Sequence, residues 1–399
     1  MTRELDLVLF GATGYTGKLV ADYLASATLR EPLRWALAGR NRDKLEAVRA
    51  GLGRAGTAVE IAIADALDPA ACAALARRTK VICTTAGPYA KYGSAIVAAC
   101  AEAGTHYCDL TGEVPWMRAM IDAHHARAQQ TGARIVHTCG FDSIPSDLGT
   151  YLAQRAYAAR FGAPAASVTG MFRFRGSFSG GTIASIVDMA EQARRDPAVR
   201  KTLANTHALD PDPAQPHEKV RDYHRVRRDP RVDRYTTTFV MASCNTRVVR
   251  RGHALAGFPW GTDFRYDEMM TTKSPVTAAA VNAGVAGLVL ALATPGVREV
   301  VTARLPAPGT GPTPQQRTSG FWHADFIAEG AAGSLTYEAS DHFDPGYGST
   351  SRMLGEAALC LARDPLTSPG GVVTPSFAMA DALAERLRAA GLTFAPAAA

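Results

Sequence analysis

The stretch LDLVLFGATGYTGKLV, residues 5–20, runs an apolar segment straight into three glycines spaced three apart, Gly11, Gly14 and Gly17. The apolar run reads as a buried strand, and the residues after Gly14 as the start of a helix. Gly11 can take the tight backbone turn that a residue with a Cβ resists. Gly14 lets the backbone approach a pyrophosphate, whose charge then rests on the helix N-terminus, and Gly17 removes bulk where helix packs on strand. Gly11, Ala12, Thr13, Gly14, Tyr15, Thr16 and Gly17 are therefore expected to hold a dinucleotide. The spacing is G-x-x-G-x-x-G, not the G-x-G-x-x-G usual for NAD, so the strand-turn-helix context carries much of the weight.

That context continues for 147 residues. Strand-like runs at 5–10, 34–38, 58–63, 80–84, 106–110 and 134–138 alternate with helical patterns at 16–27, 42–52, 68–77, 92–103 and 115–131. Strand, helix, strand in this order means a doubly wound parallel α/β sheet of Rossmann type. From 148 the alternation changes. A strand-like VTGMFRF leads to RGSFSGGT and a helix at 181–194, alternating strands are read at 235–250 and 322–341, and helices at 350–363 and 376–390 close the chain. The expected division is 1–147 for a nucleotide-binding domain, 148–345 for an α+β substrate and dimerisation domain, and 346–399 for C-terminal helices returning to the first domain. A Pro/Gly-rich loop is read at 306–316.

The end of the second strand discriminates between cofactors. An NAD enzyme places Asp or Glu there to accept from the ribose 2′-hydroxyl. Here the sequence is ALAGRNRDKL, with Arg40, Asn41 and Lys44 and no acid at the strand tip. Arg40 can pair with a 2′-phosphate that a carboxylate would repel, which favours NADP(H). Asp65, after the third strand, either meets the adenine edge or caps the following helix. Thr85, Ala86, Gly87 and Pro88, after the fourth strand, are small or rigid where a nicotinamide ring would lie.

The remaining composition excludes several classes. A net charge of +6 on 399 residues is too mild to argue for nucleic acid. The seven cysteines are odd in number and contain no Cys-x-x-Cys, so neither a disulfide framework nor a zinc site is expected. With no pattern of a secretory leader, the expectation is a cytoplasmic protein. Residues 275–297 form a long uncharged run, Ala- and Gly-rich with Asn282 inside. This is expected to be a buried helix, the alternative being contact with the inner face of the plasma membrane. The basic run at 217–234 either docks an acidic carrier or is a solvated face.

GATGYTG, LAGRNRDKL, TTAGPYAKYG, YCDLTGE and HTCGFDSIPSDLG together resemble the saccharopine dehydrogenase-like oxidoreductases, and most closely their trans-acting enoyl reductase branch. SFSGGTIASI, DPGYGSTSRMLGEAAL and GGVVTPSFAMADAL extend the resemblance over most of the chain. It implies an NADP-binding Rossmann domain, a second α+β domain, and reduction of an enoyl or carbonyl group on an acyl or lipid substrate, free or carrier-bound. Saccharopine-type amino-acid dehydrogenation, or NADPH binding without turnover, are the alternatives, and a homodimer is compatible with either.

For a proton donor, no tyrosine is followed by lysine four residues later, so the short-chain dehydrogenase pair is absent. Tyr89, beside the nicotinamide end, and Asp142, just beyond the last Rossmann strand, are the candidates. Each could instead be a packing or capping residue.

Overall fold

In the computed structural model the described residues are 3–28, 31–176, 180–212, 225–294, 296–297 and 311–397. The first sheet is built from β1 Leu5–Phe10, β2 Trp35–Gly39, β3 Glu60–Ile63, β4 Thr79–Thr84, β5 His106–Cys108 and β6 Arg134–Val136. All run parallel, in the order β6-β5-β4-β1-β2-β3. This is the dinucleotide-binding strand order, whose reversal falls between β1 and β4. Helices α1 Tyr15–Thr28, α2 Arg42–Gly51, α3 Pro69–Arg78, α4 Tyr89–Tyr92, α5 Ser94–Ala103 and α6 Val114–Thr131 connect the strands. The strands are apolar throughout because both faces are covered: Leu7, Val8 and Leu9 are fully buried.

After β6 the chain turns at Thr138, a β-branched residue held at φ +62°. Asp109 fixes that conformation by accepting from the Thr138 N–H at 3.1 Å. Helix α7, Ile144–Phe161, then crosses to a second, mixed sheet. Its strands are β7 Ser167–Arg175, β8 Arg227–Asp229, β9 Arg234–Thr237, β10 Arg265–Thr272, β11 Phe321–Gly330 and β12 Gly333–Asp341. Between β7 and β8 lie α8 Gly180–Arg195 and α9 Pro197–Ala204; α10 Ala242–Leu255 and α11 Pro275–Ala293 flank β10. The helix Thr350–Arg363 returns to pack on α1 and β4, and Pro375–Ala389 packs on α7. Two short strands have no clear signature in the sequence. β13, Gly371–Val373, extends the first sheet beside β6, and β14, Thr393–Pro396, edges the second beside β12.

Two expectations need correction. Strands were expected across 235–250, but only Arg234–Thr237 is a strand, and Ala242–Leu255 is helical. The β-branched residues there suggest a strand locally, while burial of the helix's basic face decides the outcome. Arg247 donates to the Leu203 carbonyl at 2.9 Å, Arg250 to Thr206 and Tyr266, and Arg251 to Leu209 and Val372. These guanidiniums satisfy carbonyls of α9, the segment after it, β10 and β13 that burial would otherwise leave without partners. The second correction concerns α11. It was expected to be buried, yet only 12% of Pro275–Leu292 is. Its inner side is held by fully buried Ala278 and by Asn282, which accepts from Thr237 Oγ1 at 2.6 Å and the Thr238 N–H at 2.8 Å. The small Ala and Gly side chains reach few neighbours beyond that line. Of the expected loop at 306–316 and the basic run at 217–234, residues 306–310 and 217–224 lie outside the described residues; Pro314–Thr318 is a short helix.

Candidate active site and cofactor cleft

A cleft of about 720 Å³ opens at the carboxyl ends of β1 and β4 and runs between the two sheets. One end is the glycine turn. Gly11 has φ +82°, a left-handed conformation suited to glycine, and a Cβ there would lie 3.0 Å from the Ala86 backbone nitrogen. At Gly17 a Cβ would fall 2.3 Å from the Gly11 carbonyl oxygen, so this glycine is needed for packing of helix on turn. Gly14 differs. A Cβ there meets nothing in the protein nearer than the Gly11 oxygen at 3.4 Å. The space beside it is the cleft itself, which fits backbone approach by a pyrophosphate at the start of α1.

Arg40 lines the cleft at the tip of β2, with Asp65 and Ala66 across from it. Of the other residues expected at the cofactor, Gly11, Thr13, Gly14, Tyr15, Thr16, Gly17, Thr85, Ala86 and Gly87 line the cleft, whereas Ala12, Asn41, Lys44 and Pro88 do not. Ala12 is fully buried beneath the turn. Asn41 is the N-cap of α2 and accepts from the Lys44 N–H at 2.9 Å. Asp65 accepts from the Leu67 N–H at 3.0 Å, and capping of α3 falls to Asp68. Tyr15 meets Tyr347, another residue of the cleft lining, edge-on with ring centroids 4.8 Å apart, and its hydroxyl contacts Pro312 and Arg317. Residues near 312–317 thereby strap the glycine turn.

At the other end, Tyr89 and Asp142 both line the cleft. The Tyr89 phenol is 3.3 Å from the Thr84 carbonyl, to which it donates, and accepts from the Leu110 N–H at 3.1 Å. Burial, with Asp109 nearby, holds its pKa well above the ordinary value. Its proton is thus committed to the backbone. Asp142 stands beside Phe141, Thr350 and Cys244 on an apolar wall. Loss of water there, with a smaller repulsion from Asp109, raises its carboxyl to about 7. Asp109 itself is fully buried and accepts from Tyr107, His137, Thr111 and Thr138.

Glu113 was not singled out from the sequence. Its buried carboxylate accepts from the Tyr89 N–H at 2.9 Å, the Ala90 N–H at 2.8 Å and Ser185 Oγ at 2.6 Å. Together with the Lys91–Asp188 ion pair at 2.8 Å, it ties α8 across the cleft to the turn after β4. The signal in the sequence was only the acid in YCDLTGE. The far wall is apolar: Ile186, Met189, Leu203, Phe239, Val240 and Val285. Among the described lining residues Arg40, at the tip of β2, is the only Lys, Arg or His.

The family description "Saccharopine dehydrogenase NADP binding domain" matches residues 7–136. A Mycobacterium tuberculosis protein provisionally named a trans-acting enoyl reductase is 44% identical over 410 residues, covering 98% of this chain and 97% of the relative. The chain belongs to the saccharopine dehydrogenase-like oxidoreductases, in their trans-acting enoyl reductase branch. Trans-acting enoyl reductases of Mycobacterium bovis and Mycobacterium ulcerans are each 38% identical over the same shares of both chains. Saccharopine dehydrogenase (L-Glu forming) of Saccharomyces cerevisiae shares the fold, with a TM-score of 0.54 at 11% identity over 98% of this chain and 99% of that one. This member of the family is accordingly an NADP-dependent reductase, and NADP(H) is its cofactor.

Proposed function

We propose that this reductase saturates a carbon–carbon double bond conjugated to the carbonyl of an acyl thioester, with Asp142 as the proton donor. The observation that carries the reading is Asp142 itself, a carboxyl raised to about 7 on an apolar wall of the cleft that the glycine turn opens. When bound, NADPH supplies the hydride. Gly11–Gly17 and Arg40 would hold the cofactor's phosphates, and Thr85, Ala86 and Gly87 leave room for its ring. The chain's own part in the reaction is to exclude water and to give a proton. Hydride addition at the β-carbon leaves an enolate, whose α-carbon takes the Asp142 proton; the carboxylate that remains is recharged from solvent. A carboxyl with a pKa near neutrality is half protonated at working pH and so is fitted to that task. The Tyr89 proton is already engaged, and that residue serves to pack and position the turn.

The apolar far wall supports a hydrocarbon acyl chain, and with it a place in lipid metabolism. Amino-acid dehydrogenation fits less well, because the described residues of that wall include no Lys, Arg or His. We infer a cytoplasmic setting, which the seven free, buried cysteines favour. The test is NADPH oxidation with a long-chain 2-enoyl thioester in deuterated water. The expected product is the saturated thioester with solvent deuterium at the α-carbon. Turnover of a 3-ketoacyl thioester with none of the enoyl compound would overturn the reading.

A further inference from the structure

We propose that α11 and the β8–β9 hairpin form a docking surface for an anionic lipid bilayer, from which an acyl chain passes into the cleft; this last clause rests on the reductase reading above. No charged residue lies between Lys273 and Arg298. The 19 residues of α11, at 1.5 Å each, make a rod about 28 Å long. Val276 is 77% and Leu290 68% exposed, and Leu288 and Val297 are exposed with them. A helix that faces water ordinarily carries polar or charged residues on its outer side. This one carries no charge on any side.

The helix is also fixed in place. Asn282 binds it to β9 through Thr237 and Thr238, so it offers its outer face from the folded domain rather than leaving to span a membrane. Beside it the hairpin is basic. Residues 225–234 hold Arg225, Arg227, Arg228, Arg231 and Arg234 against Asp229 and Asp233. Both acids are already paired, Asp233 with Arg228 and Asp229 with Arg231, which also meets Glu329 of β11; five arginines against these three acids leave the excess positive. Lys273 adds to it just before the helix. Anionic headgroups would neutralise that excess while the apolar rod settles among acyl chains. A second copy fits less well, because a two-fold contact centred on α11 would bring two arginine-rich hairpins to one interface.

The surface is continuous with the cleft. Val285 of α11 lines it, and α11 packs on α8, which contributes Ile186, Met189 and Ala190 to the same wall. A hydrophobic substrate could therefore move from bilayer to cleft along apolar side chains.

Co-sedimentation of the full chain with vesicles tests the proposal. Binding to phosphatidylglycerol–phosphatidylcholine vesicles should be at least tenfold tighter than to phosphatidylcholine alone, and should weaken as salt rises from 0.1 to 0.5 M. The double variant Val276→Glu, Leu290→Glu should lose vesicle binding at least tenfold, with NADPH oxidation on a short soluble enoyl thioester unchanged. Arg227→Glu with Arg228→Glu should abolish the preference for anionic vesicles. The proposal is overturned if neither vesicle binds, if the Val276 and Leu290 variant binds as well as the parent, or if sedimentation equilibrium shows a dimer that Leu290→Glu dissociates without any vesicle binding. Because NADPH oxidation is read separately, a chain that binds vesicles but reduces no acyl thioester would refute the reductase reading and leave this surface standing.

Discussion

Arg40 and the three glycines line the cleft, and the cofactor roles proposed for them can be tested one residue at a time. With Arg40 at the tip of β2 and no carboxylate there, NADPH should bind at least tenfold more tightly than NADH, about 1.4 kcal/mol. Arg40→Asp should narrow or reverse that ratio, as titration of both nucleotides by fluorescence would show; equal affinities in the parent would contradict the assignment. The glycines should separate folding from binding. The Cβ of Gly14→Val meets only the Gly11 oxygen at 3.4 Å and its methyls extend from there, so thermal melting of the free protein should change less than for Gly17→Ala while stabilisation by NADPH disappears. Gly17→Ala places its methyl 2.3 Å from that same oxygen and should instead lower the melting temperature. Retained NADPH stabilisation in Gly14→Val would place the dinucleotide elsewhere. At this scale the sequence was informative where chemistry is local: a glycine turn, an arginine at a strand tip, a carboxylic acid after a strand. It was poor where role depends on direction. Tyr89 occupies the expected turn, but its hydroxyl points to backbone groups of Thr84 and Leu110, which no spacing in the chain reveals.

The elements of the first sheet were legible because apolar strands and amphipathic helices alternate at short intervals, and each period excludes the other. α10 was not, since TTTFV and TRVVR favour extended backbone locally and only the buried carbonyls around Arg247, Arg250 and Arg251 select the helix. β13 and β14 are too short to show a period, and their pairing partners lie more than fifty residues away. The tether of α8 was equally hidden, being made of single side chains from separate elements. It can be cut with one substitution. Glu113→Ala removes the acceptor of two N–H groups and the Ser185 hydroxyl, and should cost roughly 2–4 kcal/mol in denaturant unfolding, since buried donors left unpaired pay their desolvation. Glu113→Gln, which keeps a carbonyl acceptor, should cost less than half of that. Equal, small losses for both would mean that water replaces the carboxylate and that α8 is held by other contacts.

Across the whole molecule, function depends on the two sheets meeting at one cleft. The first sheet supplies the glycine turn and Arg40, the second supplies Phe174, the helices α8, α9 and α11 and the segment after β9 supply the apolar wall, and the crossing from β6 to α7 carries Asp142. The doubly wound order follows from pattern and family resemblance, whereas the seat of the helix Thr350–Arg363 on α1 and β4, the depth of the cleft and the raised carboxyl within it emerge only from packing. The central claim is that Asp142 gives its proton at that meeting point, and the pH dependence of kcat reads it most directly. A donor must be protonated to act, so with its carboxyl raised to about 7 the rate should be level at lower pH and fall about tenfold per unit above about 7. Asp142→Asn should lower kcat by roughly 10²-fold or more and remove that alkaline limb, with NADPH affinity unchanged. A profile of the same shape in the Asp142→Asn enzyme, at a rate near the parent's, would contradict the account.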